Sequence, residues 1–160
     1  MVPKTCRLIM TSTRSEPSVL EPLFLDTSYL LALVNRRDQN HFSARQLATR
    51  FGRHPTVVTQ AVFLEFANAL AARFRSEAAR VIRELESDEL CEVIAVSEPL
   101  FEAALSFYES RNDQEWGLVD CVSFVVMRNA GLQSALTFDH HFEQSGFRVC
   151  ELEANNDNPS

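Results

Sequence analysis

Short apolar runs of strand length alternate with helical patterns from Leu23 to Cys150, and that alternation constrains the fold more than any other property of the chain. The pattern predicts strands over Leu23–Asp26, Thr56–Thr59, Cys91–Val96, Ser134–Thr137 and Phe147–Cys150. Between them it predicts helices over Ser28–Asn35, Asn40–Phe51, Ala61–Phe74, Glu77–Ser87, Pro99–Ser110 and Leu118–Ala130, with a short helix about His141–Gln144. Strand and helix in such succession imply an α/β fold, a central and mainly parallel sheet flanked by helices on both faces. The punctuation agrees: Gly131 fits a left-handed cap after its apolar helix, and Thr27 and Ser97 are expected helix starts.

Four carboxylates interrupt this apolar pattern. Asp26 follows Leu23-Phe24-Leu25, Glu65 sits in Val62-Phe63-Leu64-Glu65-Phe66, Asp120 in Leu118-Val119-Asp120-Cys121-Val122, and Asp139 follows Ala135-Leu136-Thr137-Phe138. Ionised groups are rarely set in apolar surroundings without a compensating partner. The only lysine, Lys4, lies far from all of them in sequence. In an open α/β sheet the loops after the strands gather on one edge, where ligands bind. Asp26 and Asp139 belong there, Glu65 lies in the second turn of the helix after Thr56–Thr59, and Asp120 lies in the first turn of its own helix. All four can therefore converge. Oxygen ligands select magnesium or manganese, whereas zinc prefers His and Cys. A cation held by acids activates water and shields phosphate, the logic of phosphodiester hydrolysis. Ser123 shares a helix face with Asp120; its hydroxyl either orients that carboxylate or bonds back to its own helix. His140-His141 invites a zinc site, but adjacent helical residues point apart and no third His lies near. His41 and His54 read as helix-surface or loop residues.

At 160 residues and 46% hydrophobic content the chain has material for one core, so a single domain is expected over residues 22–152. Residues 1–21, rich in Ser, Thr and Pro, read as a loose N-terminal extension, and residues 153–160 as a polar tail. Cys6, Cys91, Cys121 and Cys150 form no CxxC pair and suggest free thiols in a reducing compartment. No run reaches transmembrane length, and Leu8-Ile9-Met10 is too short for a signal-peptide core, so a cytoplasmic protein is expected.

A net charge of −7 argues against binding of nucleic acid by bulk electrostatics. The charge is uneven, however. From Arg36 to Arg83 nine arginines face only Asp38, Glu65 and Glu77. Arg73, Arg75, Arg80 and Arg83 are the candidates for guiding a polyanion into the acidic site; the competing reading is a set of solvated helix faces.

The run Phe24-Leu25-Asp26-Thr27-Ser28-Tyr29, the isolated Glu65, Val119-Asp120-Cys121-Val122-Ser123 and Leu136-Thr137-Phe138-Asp139-His140-His141 resemble, in order and spacing, the acidic signatures of PIN-domain nucleases. The resemblance spans roughly Leu23 to Cys150. It implies that Asp26, Asp120 and Asp139 ligate metal, that Glu65 binds metal or positions water, and that Thr27, Ser28 and Thr137 are the small hydroxyl residues of the site. Stand-alone PIN domains of this size are most often toxin ribonucleases of VapBC-type toxin–antitoxin pairs. The resemblance thus implies magnesium- or manganese-dependent cleavage of single-stranded RNA by a homodimer that a small antitoxin inhibits. A non-toxin RNA-processing nuclease and a weakly active binding module of the same fold are the alternatives. The N-terminal extension departs from the family, whose stand-alone members usually begin close to the first strand. Other acidic-site classes recede. A haloacid-dehalogenase-type phosphatase wants an Asp where Ser28 stands, a receiver domain needs a lysine at its site, and four scattered glycines build neither a P-loop nor a GxGxxG turn.

Overall fold

The computed structural model describes residues 20–152; the expected N-terminal extension, save its last two residues, and the expected polar tail lie outside the described residues. Five strands form one sheet: β1 (Leu23–Leu25), β2 (Thr56–Thr59), β3 (Cys91–Ile94), β4 (Ser134–Leu136) and β5 (Arg148–Val149). The helices are α1 (Thr27–Val34), α2 (His41–Phe51), α3 (Gln60–Leu70), α4 (Arg75–Ser87), α5 (Glu98–Ser110), α6 (Leu118–Ala130) and the short α7 (His141–Gln144). Every expected element is present, with ends shifted by a few residues.

The strand order is β3-β2-β1-β4-β5, and every pairing is parallel. β1 is central, with Phe24 opposite Val57 on one side and Ala135 on the other. Leu23, Phe24 and Leu25 are all buried although successive strand side chains point to opposite faces, so β1 is covered on both faces. On one of them Phe24 meets Phe142 of α7, which packs edge-on against Phe124 of α6. The chain steps outward from β1 to β2 and β3, then returns to place β4 on the opposite side of β1. The order reverses there. Parallel sheets of this kind open a crevice beyond the carboxyl ends of the strands at such a reversal, here between β1 and β4.

The expected caps need one correction. Ser97 accepts from the Leu100 amide and Gly131 (φ 68°) closes α6, as the sequence suggests. The cap of α1, however, is Asp26, whose carboxylate accepts from the Ser28 amide, while Thr27 is the first helical residue. Asp outranks Thr as a cap, and moving the helix start back one residue frees the Thr27 hydroxyl for another partner.

Candidate active site

Asp26 leaves β1 at the reversal point and is buried. Its Oδ2 accepts from the Ser28 hydroxyl and, at 2.7 Å, from the Thr137 hydroxyl at the end of β4. Ser28 Oγ in turn accepts from the Phe138 amide, and Thr137 Oγ1 from the Asp139 amide, both at 2.9 Å. Two hydroxyls thus stitch the end of β1 to the loop after β4. The freed Thr27 hydroxyl donates to Glu65 Oε2 at 2.6 Å, holding the exposed α3 carboxylate against the same edge.

The other half of the site hangs on His141. Asp139 Oδ1 accepts from the His141 amide, a turn that aims the imidazole back at the acids. His141 Nδ1 lies 3.2 Å from Asp120 Oδ2 and 3.3 Å from Asp139 Oδ1. Asp120 Oδ2 also accepts from the Gly117 amide at 2.9 Å, the acid side of a capping arrangement at the start of α6. α7 is held in place by Trp116, buried against Phe107 and Phe124, whose indole N–H donates to Gln144. The aromatic packing between α5 and α6 therefore positions the imidazole.

Burial pushes the Asp26 carboxyl above its ordinary pKa, against the lowering effect of the Ser28 and Thr137 hydrogen bonds. Burial also raises Asp120; the Gly117 amide opposes this, and the nearby Asp139 charge adds to it. Among the described residues no arginine pairs with Asp26, Glu65, Asp120 or Asp139; the imidazoles are their only basic neighbours. Oxygen donors raised in pKa and lacking a protein counter-charge fit a hard divalent cation.

Asp26, Thr27, Ser28, Glu65, Asp120, Thr137 and Asp139 thus gather at one edge, but Ser123 does not join them. Its hydroxyl donates to the Val119 carbonyl of its own helix at 3.0 Å, because the side chain is turned along a buried helix rather than toward Asp120. The expectation that His140 and His141 point apart also fails. Their rings lie 4.6 Å between centroids, and with Asp139 they bring ligand atoms within 4.8 Å of one another. The reason is that His140 precedes the helix proper, so helical spacing does not govern the pair. His141 is the residue the sequence reading passed over. Its position two residues after an Asp at a strand end was the available signal. His41 and His54 bond to the Ala32 and Glu21 carbonyls, away from the acids.

A PIN-domain family model matches residues 23–147. The chain belongs to the PIN-domain family. Within this family it is similar to the 23S rRNA-specific endonuclease VapC20 of Mycobacterium tuberculosis, in the forms from strains CDC 1551 and H37Rv. Identity to each is 32% over 126 residues, which span 78% of this chain and 95% of the relative. The crystal structure of Mycobacterium tuberculosis VapC20, described as a sarcin-ricin loop cleaving toxin, superposes with a TM-score of 0.74 at 29% identity. That superposition covers 81% of this chain and 99% of the other. The four acids of this chain are therefore set in a fold of the VapBC toxin type, and the parallel sheet is the PIN sheet.

Proposed function

We propose that this PIN domain is a magnesium- or manganese-dependent endoribonuclease that hydrolyses phosphodiester bonds in unpaired RNA and serves as the toxin of a toxin–antitoxin pair. The observation that carries this reading is the linked set of acids without an arginine counter-charge at the sheet's reversal point. Asp26, Asp120 and Asp139, with Glu65, are the residues that would hold the cation. When bound, a divalent ion polarises a phosphoryl oxygen and makes a bound water more acidic.

The protein's own contribution is to keep the acids in position before the ion or the RNA arrives. Ser28 and Thr137 fix Asp26 Oδ2, Thr27 holds Glu65, and His141 spans Asp120 and Asp139. Such outer partners set the orientation of metal-binding carboxylates. The similarity to VapC20, a toxin that acts on 23S rRNA, supports an RNA substrate and a small antitoxin partner. A loop in ribosomal RNA offers the unpaired strand that this reading requires. A homodimer in the cytoplasm completes the proposal; among the described residues no helix is long and apolar enough to cross a membrane.

The test is cleavage of a stem-loop RNA by EDTA-treated protein, with magnesium, manganese or zinc added back. Magnesium or manganese should restore strand scission and raise the melting temperature by binding the folded state, while zinc should not replace them in cleavage. Undiminished cleavage in EDTA would overturn the metal requirement. No scission with any ion would overturn the nuclease reading.

A further inference from the structure

A second concentration of charge lies away from the acids, at the opposite ends of α1 and α3. A groove of about 1050 Å³ lies between the end of α1 with its following turn, α2, and the junction of α3 with α4. Arg36, Arg37, Arg45, Arg73 and Arg80 line it against a single carboxylate, Glu77. Its apolar lining includes Leu33, Val34, Phe74 and Val81.

These arginines are set apart by their clustering, since Arg53, Arg75 and Arg128 also pair with no carboxylate among the described residues but lie outside the groove. Arg83, Arg111 and Arg148 pair with Glu86, Asp113 and Glu21, and within the groove Arg80 pairs with Glu84. Arg36, Arg37, Arg45 and Arg73 pair with no carboxylate among the described residues. In a chain of net charge −7, four unneutralised guanidinium groups in one concavity mark it as made for an anion. Beside the groove Phe42 stands 73% exposed on α2, one turn before Arg45 and next to His41, which also lines the groove. An exposed aromatic interleaved with arginines suits a strand whose phosphates need cations and whose bases need a flat apolar face.

We propose that this groove holds the single-stranded RNA that runs on from the cleavage site, with Arg36, Arg37, Arg45 and Arg73 on phosphates and Phe42 stacked on a base. The inference rests on the ribonuclease reading and adds the path of the substrate to it. Continuity favours RNA over an acidic peptide. Thr27, which holds Glu65, and Val34, at the groove, are seven residues apart on α1, about 10 Å. A stacked strand advances about 3.4 Å per nucleotide, so a polyanion in the site meets the groove within a few nucleotides. The arginines also sort differently from the sequence expectation. Arg73 and Arg80 line the groove, whereas Arg75, whose Nε bonds to the Ala71 carbonyl, and Arg83 do not.

The experiment is fluorescence anisotropy with a labelled oligoadenylate in EDTA, which separates binding from cleavage, repeated across salt concentrations. In the double variant Arg37→Ala, Arg45→Ala the salt dependence should flatten by about 0.7 in log–log slope per arginine. Lysine at both positions should restore it. Phe42→Ala should weaken binding about tenfold without altering the slope. Arg83→Ala should keep the wild-type slope. An unchanged slope and affinity in the folded double variant would overturn the proposal. So would intact RNA affinity combined with lost binding of an acidic antitoxin segment. If RNA binds as described but is never cut with magnesium or manganese, the nuclease reading fails and the groove stands. If RNA is cut while the double variant binds normally, the reverse holds.

Discussion

The acidic edge and the arginine groove are opposite solutions built on the same helices. Asp26 caps the start of α1 and Arg36 and Arg37 follow its end; Glu65 lies in the second turn of α3 and Arg73 follows its end. Helix dipoles favour acids at amino ends and cations at carboxyl ends, so each helix supports both clusters at once. The difference lies in how the charges are held. The acids, of which only Glu65 is exposed, are tied to hydroxyls, amides and an imidazole, whereas the groove arginines are exposed and, Arg80 apart, form no ion pair among the described residues. A site that must place an ion within tenths of an ångström needs fixed ligands, and a groove that follows a flexible strand does not.

The sharpest break in that comparison comes from removing one acid. Asp26→Asn, Asp120→Asn and Asp139→Asn should each lower RNA cleavage at least about 100-fold, since metal stabilisation of the transition state is worth several kcal/mol. None should unfold the ion-free protein, because each change relieves a carboxylate held without an arginine counter-charge. Cleavage of a stem-loop RNA measured beside thermal melting checks both halves. Full activity in any of the three would remove that residue from the site.

His141 should come next in size. It touches two acids without being needed as a hard-oxygen ligand, so His141→Ala should cost about tenfold in cleavage, the lower range for a residue that orients metal ligands. A magnesium titration followed by melting temperature should show weaker ion affinity in the same variant. Loss as severe as that of Asp139→Asn would make the imidazole a direct participant, and the contrast between fixed acids and their supports would need redrawing.

His141 also marks the boundary of what the sequence discloses. The twelve elements are legible because apolar periodicity is a local property, and the four acids because each breaks that periodicity. The imidazole is not legible, since its aim depends on how Trp116 and Gln144 seat α7, a contact across 28 residues of chain. The same holds for the groove. Arg80 with Glu84 and Arg83 with Glu86 can be paired from their spacing, but Arg36 and Arg73 become neighbours of one cavity only through the packing of α1 on α3. The sequence marks Asp26 as a ligand candidate and not as a cap because both roles suit an Asp at a strand end; in the structure its carboxylate caps α1 and also accepts from the Thr137 hydroxyl.

A smaller effect follows from the raised pKa values at the acidic edge. The folded protein keeps protons on Asp26 and Asp120 to a higher pH than the unfolded chain, where an aspartate titrates near 3.8. Folding is therefore favoured by these two groups at low pH, and that advantage is lost as pH rises from about 3.8 through their raised folded values. In EDTA the melting temperature of the wild type should fall over this interval relative to the Asp26→Asn, Asp120→Asn double variant, which lacks both titrations. Saturating magnesium should oppose the fall, because an ion binds the deprotonated form. Parallel curves for the two proteins would mean that the edge is neutralised without an ion.

The smallest effect separates a neighbour of the site from a member of it. Ser123 is buried one turn from Asp120, yet its hydroxyl is spent on the Val119 carbonyl. Ser123→Ala removes that hydrogen bond, but the carbonyl sits where the helix itself supplies an N–H donor, and alanine is the better helix former by a few tenths of a kcal/mol. The two contributions nearly cancel, so the melting temperature should move by little and RNA cleavage should stay within about twofold of wild type. If the hydroxyl turned to orient Asp120 once an ion was present, the same substitution would instead cost about tenfold in cleavage and weaken the magnesium-induced rise in melting temperature. Measuring both quantities in Ser123→Ala beside His141→Ala therefore decides how far the fixed shell around the acids extends: through the imidazole only, or into the body of α6.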